Sequence, residues 1–88
     1  MVDKVKHAAY RAPMDWDRDI DAVGLLCPLP VLRAARGLRS MSAGETLRLR
    51  ATDPAAVIDV PHFCAEGGHR LVSTEEHETE THYFIVKG

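Results

Sequence analysis

Eighty-eight residues leave room for one domain with one modest core, because a chain this short buries only about 60–65% of the surface it would expose unfolded. Apolar residues at 45% and charged residues at 27% are values of an ordinary globular domain. Eleven basic against thirteen acidic side chains give a net charge of −2, without the basic excess of a nucleic-acid-binding domain, so no direct nucleic-acid binding is expected.

Residues 1–16 carry mixed charge, Pro13 and scattered apolar residues without a period. A flexible N-terminal tail is expected there, with Trp16 able to dock on a single domain spanning 17–88. The stretch contains no continuous apolar segment of the secretory kind, and no run in the chain reaches the roughly 20 apolar residues that cross a bilayer. A cytoplasmic location without membrane contact is therefore expected. Two cysteines are too few for a disulfide scaffold.

Polar and apolar residues alternate through Asp19–Val23, which predicts a first strand with Ile20 and Ala22 inward. Val31, Leu32, Ala35, Leu38 and Met41 then fall on one helical face, with Arg33, Arg36 and Arg39 opposite. Gly37 weakens that helix by about 1 kcal/mol relative to Ala. Gly44 is placed to end it. Thr46–Thr52 alternates cleanly, with Leu47, Leu49 and Ala51 on one face and Arg48 and Arg50 on the other. Asp53-Pro54 signals a helix start. Pro61 lacks an N–H, so a short turn over 54–58 and a helix restarting at Asp59 are predicted, stopped by Gly67-Gly68. Residues 70–75 and 80–87 read as two last strands joined by a polar link. The order β-α-β-α-β-β predicts an α/β two-layer sandwich of the α+β type, a four-stranded mixed sheet with two helices on one face.

Cys27 falls between the first strand and the first helix. A thiolate there would feel the positive helix end and its free N–H groups, which lowers a cysteine pKa. Pro28 and Pro30 pre-organise the first turn and remove two donors, leaving those of Leu29, Val31 and Leu32. Arg33 can add positive potential. Acyl transfer would need a base within reach, and His62 or His69 could approach only through the fold. A CxxC redox motif is absent, because residue 30 is proline. A lone activated thiol on a rigid turn suits a group carrier that takes sulfur as a persulfide and surrenders it to another protein. The competing reading is a small buried cysteine, as free cysteines often are.

The run Asp21-Ala-Val-Gly24-Leu25-Leu26-Cys27-Pro28-Leu29-Pro30 resembles the signature of the TusA/SirA family of small sulfur carriers. The likeness continues through Gly44-Glu45-Thr46-Leu47, Asp53-Pro54, Asp59–Cys64, His69–Val72 and Tyr83–Gly88, about residues 19–88 in all. The resemblance implies the same sandwich, with Cys27 as the catalytic persulfide carrier and Gly24, Pro28, Pro30 and Asp53 as its supporting motif. It implies a cysteine desulfurase or rhodanese-like protein as sulfur donor and a downstream sulfur-acceptor protein. Acceptors in the family serve tRNA thiolation, molybdenum cofactor assembly or sulfur oxidation. The tRNA-thiolation members carry Glu between the two prolines, where this chain has Leu29, an apolar group beside the sulfur.

Arg33, Arg36 and Arg39 form a candidate docking surface for an acidic partner. Asp53 is read as a helix cap that could also face the site, and Cys64 as a packed core residue or a resolving partner for Cys27. His62 and His69, taken with the thiols, lack the close spacing of zinc ligands, so no metal and no cofactor are expected. A monomer is expected. The alternative function is a non-catalytic regulatory or protein-interaction module on the same fold. A Cys27–Cys64 redox pair is a third reading.

Overall fold

Alternation along Thr46-Leu47-Arg48-Leu49-Arg50-Ala51 gives a strand with Leu47, Leu49 and Ala51 buried and the arginines half-buried on the other face. This strand lies inside a four-stranded sheet. The computed structural model describes residues 15–88, so the tail expected over 1–16 lies, apart from Asp15 and Trp16, outside the described residues. The elements are β1 (Arg18–Ala22), α1 (Leu29–Arg39), β2 (Thr46–Ala51), α2 (Ala56–Gly67), β3 (Arg70–Glu76) and β4 (Thr81–Val86). The sheet order is β1-β2-β4-β3. β1 runs parallel to β2, and β4 is antiparallel to both of its neighbours. The expected mixed sheet with two helices is present. Among the described residues no helix is long and apolar enough to cross a membrane.

One core joins the two layers. Leu47, Leu49, Tyr83 and Ile85 from the sheet pack with Ala34 and Leu38 from α1 and with Val60 and Cys64 from α2. Both helices therefore cover the same sheet face. The other face carries charge. Arg48 Nε lies 2.8 Å from Asp19 Oδ1, Arg50 Nη2 lies 3.1 Å from Asp19 Oδ2, and Trp16 stacks with the Arg48 guanidinium 4.6 Å from its ring centre. Partial burial pushes the Asp19 carboxyl up, but hydrogen bonds from Arg48 and Arg50 and their charges outweigh it and hold the group below its ordinary value. Its contribution to stability is thus complete above the ordinary carboxylate range and fades as pH falls through that lowered value.

Three sequence expectations are corrected. The buried stripe of α1 is Pro30, Ala34, Gly37 and Leu38, with Met41 just beyond, while Leu32 is 57% exposed. Gly44 is left-handed, with φ 93°, but α1 ends at Ser40, and Gly44 serves the turn before β2, donating its N–H to the Lys87 carbonyl. α2 runs unbroken through Pro61. The proline's missing donor orphans the Val57 carbonyl, and both residues sit on the exposed side, where water can take its place. The start of α2 is tightened by i→i+3 bonds from its first residues, Ala56, Val57 and Ile58, to the carbonyls of Asp53, Pro54 and Ala55. The helix stops as expected at Gly68, φ 77°, where the His69 N–H reaches the Cys64 carbonyl at 2.9 Å.

Candidate functional site

The loop from Val23 to Pro28 links β1 to α1 and is held by the residues that follow β2. Gly24 turns the chain with φ 84°, a conformation only glycine adopts without strain. Its N–H donates to Thr52 Oγ1 at 2.9 Å. Three residues on, the Cys27 N–H donates to Asp53 Oδ2 at 2.6 Å. The other oxygen of Asp53 accepts the Ala55 N–H at 3.1 Å, so one carboxylate braces both the cysteine loop and the lead-in to α2. Asp53 thus faces the cysteine loop, but it does not cap α2 as expected, because the N-cap is Ala55 and carries no side-chain cap.

The Cys27–Pro28 peptide bond is cis. Pro28 is the N-cap of α1, and Pro30 is its second residue and is buried. Neither position needs an N–H for the helix. Of the three donors expected to face the sulfur, Leu29 gives its N–H to the Leu26 carbonyl at 2.9 Å and Leu32 to the Pro28 carbonyl at 3.1 Å. The helix end therefore offers the thiol fewer donors than the sequence suggests.

Cys27 is an exposed free thiol, as a carrier requires, but its surroundings oppose ionisation. Hydrogen bonding to the Asp59 carboxylate, some desolvation, and the negative charges of Asp59 and Asp53 all raise the Cys27 thiol above its ordinary value. The expectation of a lowered value is corrected on this point. Asp59 lies in the first turn of α2, and its local sequence marks it as a helix start but not as a neighbour of the sulfur. Only the packing of α2 beside the loop brings it to the sulfur. Cys64 is the opposite case, 2% exposed in the core and pushed by burial to about 11.

The flanks of the thiol are apolar and open. Leu26 is 67% exposed, with Leu29 and Leu32 next along α1. On the α2 side Val57 and Ile58 are exposed beside Asp59, Ile58 by 75%. The sequence pattern had assigned Leu32 to the core and gave no sign of Val57 or Ile58. The three arginines line two separate clefts. Arg33 is one turn into α1, with Nη1 3.4 Å from the Asp21 carbonyl, and shares a cleft with Arg36, Asp19 and Asp21. Arg39 lines a separate groove with Phe63, His69 and Lys87 near the far end of the sheet.

A sequence model of the family described as Sulfurtransferase TusA matches residues 18–87 of this chain. A protein of Allochromatium vinosum named Sulfur carrier protein TusA is 42% identical over 73 residues, covering 83% of this chain and 96% of that protein. The crystal structure of a SirA-like protein from Desulfitobacterium hafniense superposes with a TM-score of 0.72 at 24% identity, covering 82% of this chain and 99% of the other. That last likeness is one of fold.

Proposed function

This chain belongs to the TusA sulfurtransferase family, and from that premise we propose that Cys27 carries sulfur as a persulfide between a donor protein and an acceptor protein. The observation that supports this most is an exposed thiol on a loop clamped by Thr52 and Asp53 and flanked by exposed apolar side chains. A carrier has to admit another protein's sulfur to its own, and such a surface is suited to that contact.

The chemistry balances without an added oxidant. The Cys27 sulfur attacks the outer sulfur of a donor cysteine persulfide. A new S–S bond forms on Cys27 as the donor's S–S bond breaks, and the donor thiolate leaves and takes up the proton that Cys27 gave up. Delivery to the acceptor thiol repeats the exchange with Cys27 as leaving group. A cysteine desulfurase or a rhodanese-like protein would supply the sulfur, and a second thiol protein would receive it. Leu29, between the prolines, adds an exposed apolar side chain beside the thiol rather than a third carboxylate.

Intact-mass measurement after incubation with a cysteine desulfurase and cysteine, or with a rhodanese and thiosulfate, tests the reading. Reductant-labile sulfur adducts are expected on the wild type and on Cys64→Ala and absent from Cys27→Ser. A chain that takes no adduct from either donor would be an interaction module with the family fold and without its chemistry.

A further inference from the structure

The uncovered face of the sheet holds a second constellation, independent of sulfur transfer. Asp21, Arg50, His82 and Glu75 occupy one row across β1, β2, β4 and β3. The turn between β3 and β4 is closed by a hydrogen bond from the His77 N–H to the Glu80 carbonyl, 2.8 Å long. It brings the His77 ring to 4.0 Å from the His82 ring, centre to centre. One donor atom from each of Glu75, His77 and His82 lies within 4.8 Å of the other two. We propose that Glu75, His77 and His82 bind a divalent transition-metal ion of the zinc type.

Two imidazoles and one carboxylate suit zinc and its neighbours rather than calcium or magnesium, which favour oxygen donors alone. Bonds of about 2.0–2.1 Å in tetrahedral geometry put donors about 3.3 Å apart, so this set has to close by about 1.5 Å at most. Glu75 and His77 have the freedom to do so, being 35% and 46% exposed, while His82, at 12%, is the fixed member. Glu80 sets the His82 ring. Its Oε2 lies 2.6 Å from His82 Nε2, and it is itself 3.8 Å from the Arg50 guanidinium. An ionised carboxylate only accepts, so Nε2 carries the hydrogen and the lone pair is on Nδ1. A carboxylate orienting an imidazole through its other nitrogen is the usual outer support of a metal-binding histidine.

The sequence held a signal for this site. Four residues separate His77 from His82, within the H-x₃₋₅-H range of zinc ligands, and Glu75 and His77 are two apart at the end of a strand. The expectation of no metal considered only His62, His69 and the thiols. Three ligands leave one position open for water.

The test uses the full-length chain with both thiols removed, Cys27→Ser with Cys64→Ala, titrated calorimetrically with zinc chloride near neutral pH. One equivalent of zinc is expected. His77→Ala, at an exposed position that leaves the core untouched, should weaken it by about tenfold or more, His82→Asn likewise, and Glu80→Gln by less. Calcium in excess should not displace it. Zinc that fails to bind the thiol-free chain, binds His77→Ala undiminished, or is displaced by calcium would overturn the proposal.

Discussion

At the scale of the residue, Cys27 stands between a helix end and two carboxylates, and the carboxylates prevail. A helix N-terminus contributes about half a positive charge, spread over N–H groups that here are partly spent on Leu26 and Pro28 carbonyls. Asp59 and Asp53 each bring a full negative charge, and Asp59 also accepts the thiol hydrogen. Asp59 is a poor general base for this thiol, because an ordinary carboxylic acid is stronger than an ordinary thiol by more than about four pKa units. Its effect is to oppose ionisation of Cys27. Asp59→Asn is therefore expected to lower the apparent pKa in a pH–rate profile of iodoacetamide alkylation, measured on Cys64→Ala. Near neutral pH the reaction should quicken a few-fold, because each tenfold gain in thiolate loses only about threefold in nucleophilicity. An unchanged or higher apparent pKa would show that Asp59 does not govern the sulfur.

At the scale of the element, Gly37 is where α1 meets the sheet with no room for a side chain. A Cβ there would meet Ile20 Cδ1 and Leu47 Cδ1 at 3.0 Å each. Alanine would gain about 1 kcal/mol of helix propensity. It would also overpack a site fixed from two strands, at a cost of about 1–3 kcal/mol. Gly37→Ala should lower stability by about 1 kcal/mol, read as a reduced urea midpoint with an unchanged slope; a stabilised variant would mean that both methyl groups yield freely. Much of this architecture is legible in the sequence, because alternation in 46–51 and the Gly67-Gly68 stop depend on local physics. The stripe of α1 is less so. Leu29 and Leu32 are leucines kept at the surface, and an exposed apolar flank imitates a core face in the periodicity. Pro61 misleads for a related reason, since the breaker rule assumes that the lost bond matters, and here it falls toward solvent. The cysteine loop can be read from Gly24, Cys27 and the prolines. Asp59 and the His77–His82 pair belong to their sites only through the packing of α2 and the pairing of β3 with β4.

At the scale of the molecule, one end gathers the chemistry. β1 and β2 finish there, β3 leaves and β4 enters, so the Cys27 loop, Asp53 and the histidine turn share that end. The buried Tyr83 registers this crowding, being raised by burial and then by the charges of Asp53 and Glu76. Arg39 is at the other end of α1, ten residues beyond Leu29, or about 15 Å along the axis. Physiological salt screens exposed charges over about 8 Å. Arg36 and Arg39 can thus steer an acidic partner at low ionic strength, but they cannot hold it over the sulfur. Leu26, next to Cys27 in the chain, and Ile58, next to Asp59, are exposed apolar side chains placed to do so, and apolar contacts are insensitive to salt. Persulfide transfer from the donor should be slowed several-fold at every salt concentration by Leu26→Ser combined with Ile58→Ser. Serine adds no charge, so the electrostatics of Cys27 stay as they are. Charge reversal at Arg36 and Arg39 should slow transfer at low salt and lose its effect as salt rises. The opposite pattern, with the serines silent and the reversals effective in high salt, would move the docking face from the rim of Cys27 to the length of α1.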